Sequence, residues 1–157
     1  MLYKEIAMKQ YLLPKEGKFY KANLHMHTTI SDGRMTLEET KEEYQKRGYS
    51  IVAFTDHEIL LPHEDLTDEN FLAITSVEYA CNKPTPVNDF SDVTAVHINI
   101  YSPEPGRTYS PIFSENRFWI EHTKQYVTDE MRKSDYKMLY GVDKINHMIR
   151  LANEQGF

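Results

Sequence analysis

The chain has 157 residues, 40% of them apolar and 27% charged, which is enough for one domain with a hydrophobic core and ordinary for a globular protein. Its 18 Lys and Arg against 24 Asp and Glu give a formal charge of −6, which argues against a basic surface for long nucleic acid or an acidic membrane but leaves room for a small phosphorylated substrate held through a metal. One cysteine, Cys81, excludes an intrachain disulfide framework and a thiolate zinc site, and with no signal peptide or bilayer-length apolar run the default address is cytoplasmic.

In chain order, Phe19 to His27 reads as a strand in which Ala22, Leu24 and Met26 alternate with Asn23, His25 and His27. That period of two sends His25 and His27 to the same side. The polar stretch from Thr28 to Arg34, with Gly33, is a loop. Thr36-Leu37-Glu38-Glu39 has the spacing of a capping box, and Gly48 can close the helix that it starts. Ser50 to Thr55 is a short apolar run of the kind found in buried parallel strands, and it leads into Asp56-His57. Phe71 to Val77 is a third strand ending at Glu78; the polar segment before it, Pro62 to Asn70, signals a helix only weakly. Strand, helix and strand with short connections predict a βαβ unit and a parallel sheet.

Asn82 to Asp92 is loop by composition. Val93 to Tyr101 alternates again, with His97, Asn99 and Tyr101 on one face. Ser102 to Ser110 is a turn-rich loop, and Ile112 to Met131 is expected to be helical in part. Asp143 is the expected N-cap of a last helix, Lys144 to Gln155, which closes on Gly156. A helix ending on Gly-Phe reads as the approach to another strand, so the sequence predicts a single α/β domain over residues 1–157, truncated at its C-terminus.

Four segments place metal-ligating residue types at predicted strand ends: His25 and His27 with Asp32, then Asp56-His57, then Glu78, then His97. In parallel α/β folds functional side chains converge at that edge. Four of the seven histidines fall in these places. Imidazole nitrogen and carboxylate oxygen suit zinc, iron and manganese, and a carboxylate can bridge two ions about 3.5–4 Å apart that activate water and stabilise a leaving oxygen. Each candidate has a plainer reading. The histidines can be hydrogen-bonded structural residues, Asp32 a turn aspartate before Gly33, Glu78 a strand-end charge and His97 a solvent-facing strand residue. Arg107 and Arg117 can hold a phosphate bidentately, Arg107 being the substrate-binding candidate, although ordinary surface arginine is the better reading of both. His63, His122 and His147 are expected to be surface or core residues, and Cys81 a small buried apolar one.

His-x-His-Thr-x-x-Ser-Asp-Gly (His25 to Gly33), Thr-Asp-His (Thr55 to His57) and the strand-ending Glu78 together resemble the PHP family, named for polymerase and histidinol phosphatase. The resemblance runs from about Asn23 to Tyr101. It implies a metal-dependent phosphoesterase on a distorted seven-stranded (β/α) TIM-like barrel, with two or three divalent ions (zinc, manganese or iron). On that resemblance His25 and His27 hold one ion with Glu78 as a bridge, His97 binds a second, and Asp32 and His57 serve a third. Asp56, the catalytic candidate, would act by orienting a neighbour. The family pattern continues with a histidine after the last helix and a later Asp-x-His. Neither is present, so the C-terminal strands are expected to be missing.

The implied reaction is hydrolysis of a phosphate ester by metal-bound hydroxide, on a small phosphorylated metabolite, a nucleotide or an oligonucleotide end. Membrane partners are not expected and long nucleic acid is disfavoured; oligomeric state leaves no signal. The alternative is a truncated or degenerate PHP-like module that binds metal or a partner without catalysis. A metal-dependent amidohydrolase is a third reading, disfavoured by Ser31-Asp32-Gly33, by Thr55-Asp56-His57 and by the absence of an evident carboxylated-lysine site.

Overall fold

The computed structural model describes residues 16–83, 95–113, 121–134 and 139–157. It is a mixed α/β structure whose four-stranded sheet, in the order β1-β2-β3-β4, curls into a half-barrel. The strands are β1 (Ala22–Asn23), β2 (Ile51–Phe54), β3 (Leu72–Ala80) and β4 (His97–Tyr101). The helices are α1 (Leu37–Lys46) and α2 (Val142–Glu154), and short 3₁₀ turns occupy Glu64–Leu66, Glu121–Tyr126 and Met131–Lys133.

β1, β2 and β3 run parallel, as the βαβ pattern predicts, whereas β4 pairs antiparallel with β3, Glu78 standing opposite Asn99 and Ala80 opposite His97. The wholly parallel sheet is therefore corrected at its last strand. This second partner also explains why β3 runs three residues past the predicted Val77. β2 accompanies β3 only as far as Thr75, and β4 takes over the pairing from Ser76 to Ala80.

β1 is shorter than predicted because the period of two slips after Asn23. The Asn23 amide turns to the Tyr44 hydroxyl (2.6 Å) beside α1, and Met26, three residues on, packs into the same apolar cluster. Beyond the slip the chain stays beside β2 through Thr55. Its backbone N–H donates to Met26 O (2.9 Å), and its hydroxyl joins Met26 N and O at 3.1 Å each.

α1 starts as predicted. Thr36 Oγ1 accepts from Glu39 N, the Glu39 carboxylate accepts from Thr36 N, and Gly48 follows the helix with φ 77°, a value that glycine adopts freely. Leu37 and Tyr44 of α1 pack on Met26, Val52, Phe54, Leu66, Phe71 and Ala73. Met148 and Ala152 of α2 pack with Val77, Tyr79 and Ile100. These strand residues alternate onto one face, so both helices cover the outside of the curl and leave Ser76, Glu78, His97 and Asn99 on the inside.

β2, with Val52, Ala53 and Phe54 all fully buried, is the two-sided core strand that its apolar run implies. Asp143 is not the cap of α2. That position falls to Gly141, with φ 123°, and Asp143 lies in the first turn where its charge complements the helix dipole. Between Ile112 and Met131 the described residues form a 3₁₀ turn rather than an α-helix; residues 93–94 and 114–120 of the predicted elements lie outside the described residues. Among the described residues no helix is long and apolar enough to cross a membrane.

Candidate metal centre

Three parallel strands bring their C-terminal ends to one edge of the sheet, and β4, running the other way, brings its first residue there. His25 and His27 follow β1, Asp56 and His57 follow β2, Glu78 lies near the end of β3, and His97 opens β4. Placing His97 at the first residue of a strand corrects the expectation that it lies toward a strand's C-terminal end, and the antiparallel direction of β4 is the reason it still reaches this edge.

Glu78 is the centre of the arrangement. Its side chain is 3% exposed, and its Oε2 lies 2.7 Å from His27 Nε2, 3.2 Å from His57 Nδ1 and 3.6 Å from His25 Nε2. Its Oε1 hydrogen-bonds His97 Nδ1 at 2.9 Å. Asp32 adds a second carboxylate, 2.7 Å from His27 Nδ1 and 3.7 Å from His57 Nε2. All six predicted ligands thus come together. They form three overlapping sets, each with its ligand atoms within 4.8 Å of one another: His25, His27 and Glu78; His27, Asp32 and His57; and His57, Glu78 and His97.

Burial would raise the Glu78 carboxyl, but the adjacent His27, the nearby His57 and the bond from His97 overcome it and hold the group down to about 2. Burial acts on His27 in the opposite sense, and Glu78 and Asp32 outweigh it to raise this imidazole. At His57 burial wins, aided by His27, and lowers it, which favours the neutral ring that a metal ligand needs.

The fit to a cation shows in two atoms. His27 Nε2 and Glu78 Oε2 are both buried and form an ion-pair contact at 2.7 Å, yet among the described residues neither has a partner in good hydrogen-bond geometry. A buried donor or acceptor left so is costly, and an ion between imidazole and carboxylate would satisfy both. The set is nitrogen and oxygen only, which suits zinc, manganese or iron. These groups therefore offer donor sets that could hold a metal ion.

Asp56 has a different task. Its buried carboxylate accepts four hydrogen bonds, from Thr28 N (2.8 Å), Thr28 Oγ1 (2.8 Å), Ser31 N (3.2 Å) and Ser31 Oγ (2.6 Å). It ties down the loop between His27 and Asp32. Gly33 completes that loop: its N–H donates to Thr28 O at 2.8 Å, and a Cβ there would run into the His27 carbonyl.

Arg107 is not brought to the centre. It lies beyond the C-terminal end of β4, donating to Gln155 O (2.6 Å), pairing with Glu104 (3.0 Å) and stacking on Phe157. Arg117 lies outside the described residues. His63, His122 and His147 belong to none of the three sets. His63 is buried beside the Phe54 ring, and His122 Nε2 meets Thr29 O (3.1 Å) on the rim of the loop. Cys81 is buried against Met148, as its residue type suggested.

The sequence pattern left two neighbours unnoticed. Glu58 holds φ 65° directly after His57, is 2% exposed and accepts from Ala80 N at 3.0 Å. Asn99 Nδ2 lies 2.7 Å from His25 Nδ1. The only signal for Asn99 was its place on the His97 face of an alternating strand.

No protein-family model matches the chain. A stretch of 37 residues is 49% identical to the DNA polymerase/3'-5' exonuclease PolX of Bacillus subtilis (strain 168). It covers 24% of this chain and 6% of that much longer protein, so the likeness is local.

Proposed function

We propose that the chain carries the metal centre of a phosphoesterase of the PHP kind, built on part of a TIM-like barrel. The observation that carries this reading is the place of the Glu78 carboxylate in two of the three ligand sets, because one carboxylate can bridge two adjacent ions. The motif order around His25, Thr55 and Glu78 supports it, and so does the local likeness to a protein named as a polymerase and exonuclease.

His25 and His27 with Glu78 would hold one ion, His97 with Glu78 a second, and Asp32 with His57 a third, each imidazole giving one nitrogen. Divalent ions there would supply Lewis acidity toward phosphoryl oxygens and would bring the pKa of water toward neutrality. The chain's own residues do the rest. Glu78 keeps its charge where two sets meet, His57 stays neutral under burial, and Asp56 fixes the loop that delivers Asp32. The exposed His25 and His97 mark the open side from which a substrate would enter.

The test is metal analysis of the purified chain, with hydrolysis assays on p-nitrophenyl phosphate, a nucleoside monophosphate and a 3'-ended oligonucleotide. Bound metal with hydrolysis that His25→Ala removes would support the reading. Bound metal without hydrolysis of any ester would favour a metal-binding module, and no metal at all would overturn both.

A further inference from the structure

The second nitrogen of a ligating histidine decides whether the first can bind. An imidazole that gives its Nε2 lone pair to a cation carries its proton on Nδ1 and needs an acceptor there. The structure provides a neighbour at that place for the most exposed ligand of the centre. His25 points Nε2 toward Glu78 Oε2 (3.6 Å) and sets Nδ1 2.7 Å from the amide of Asn99.

Asn99 stands opposite Glu78 in the β3–β4 ladder, so its side chain falls on the inner face beside the cluster. Its Oδ1 is buried and has no hydrogen-bond partner among the described residues, while Nδ2 is the atom that faces the ring. With Nδ2 donating, Nδ1 must accept, and the neutral ring's proton sits on Nε2, where it blocks ligation. A half-turn of the amide exchanges two groups of nearly equal size and brings Oδ1 to the ring, which moves the proton to Nδ1 and frees Nε2. Tyr101, the other neighbour on this face, donates its hydroxyl to Leu24 O at 2.8 Å and also hydrogen-bonds the Asn99 side chain, a contact that has to turn with the amide.

Resting on the metal reading above, we infer that Asn99 is the positioning residue of His25: its side-chain oxygen accepts from Nδ1–H and holds the ring in the tautomer that binds a cation through Nε2. The sequence alternation put Asn99 on this face, but only the strand register brings it to His25, a residue 74 positions away in the chain.

The experiment uses the whole chain stripped with chelator and titrated with zinc by calorimetry, beside ¹⁵N-edited spectra of the histidine rings. Asn99→Leu should weaken zinc binding about 10–100-fold, and Asn99→Asp, which also presents an oxygen, should stay within about threefold of the wild type. In the zinc-bound wild type the His25 ring should carry its proton on Nδ1. This spectrum needs no variant, so it decides the matter even if Asn99→Leu fails to fold. A folded Asn99→Leu that binds zinc as well as the wild type, or a zinc-bound His25 protonated on Nε2, would overturn the inference and leave the metal reading standing. A wild-type chain that binds no zinc or manganese would overturn the metal reading itself.

Discussion

Replacing Glu78 by Gln keeps the size of the side chain and removes its charge, and the structure sets what that should cost. The carboxylate reaches four imidazoles, at 2.7 Å (His27), 2.9 Å (His97), 3.2 Å (His57) and 3.6 Å (His25), and belongs to two of the three ligand sets. Asp32 reaches two imidazoles and belongs to one set, and its side chain is 39% exposed against 3% for Glu78. With its carboxyl held down to about 2, Glu78 is ionised at any working pH, so the substitution always exchanges a charge for a neutral amide. Two unit charges about 4 Å apart attract by about 4 kcal/mol at an effective dielectric near 20 and by about 1 kcal/mol in water. Glu78 stands near the first limit and Asp32 nearer the second. The double charge of a metal enlarges both values, and the easier desolvation of an amide offsets part of the gain. The expected loss of zinc or manganese affinity is roughly 3 kcal/mol, or about 100-fold, for Glu78→Gln and about 1 kcal/mol for Asp32→Asn. Calorimetric titration of the stripped proteins measures both. Equal losses, or a smaller one at Glu78, would refute the argument from burial and sharing.

Asp56→Asn should loosen the loop before Asp32. An amide offers one acceptor oxygen to the four donors that now meet the carboxylate, and the cost should be about 2–4 kcal/mol in denaturant unfolding, with weaker metal binding alongside. A variant as stable as the wild type would show that these bonds do not hold the loop. Gly33→Ala should cost about 1–3 kcal/mol, because the new Cβ meets the rigid carbonyl of His27 rather than a mobile side-chain end; an unchanged melting temperature would contradict this. His63, buried beside Phe54, has its pKa lowered chiefly by burial, against the pull of Asp56 and Asp65. The unfolded chain therefore binds this proton more readily than the folded one. The associated stability is complete above the ordinary histidine value and is lost as pH falls through the depressed one. His63→Gln should then lose less stability than the wild type between pH 7.5 and pH 5, the difference isolating His63 from the other histidines; parallel curves would remove His63 as the cause.

Local signals in the sequence were read well wherever short-range physics decides the outcome. The Thr36 capping box, the Gly48 stop and the buried run of β2 depend on neighbours a few residues away, and all three are present. Failures occur where a distant partner intervenes. Asn23 belongs to the polar side of an alternating strand by pattern, but its amide turns to the Tyr44 hydroxyl on α1, 21 positions away, where the period breaks. Asp143 has the composition of an N-cap, yet the chain enters α2 through Gly141, whose φ of 123° gives it a turn that Asp143 would adopt less readily. Asp56 is expected to orient a neighbour, but which neighbour is hidden: its carboxylate is taken up by Thr28 and Ser31 from a loop 25 to 28 positions earlier.

The six candidate ligands were legible because residue type and strand-end position agree, but the way His97 arrives was not. A period of two is unchanged when a strand is reversed, so alternation places His97 and Asn99 on one face without saying which end of β4 is up. The direction matters to the chemistry. β4 spans His97–Tyr101, four steps of about 3.3 Å, so a parallel β4 in the same place would carry His97 to the far edge, roughly 13 Å from its present position. Asn99, at the middle of the strand, would hardly move. Only the antiparallel pairing of Ala80 with His97 and of Glu78 with Asn99 puts an imidazole on Glu78 Oε1 while leaving Asn99 beside His25. One reversed strand therefore brings both a candidate ligand and the residue proposed to orient another to the centre, and neither placement can be derived from the β4 sequence without its partner.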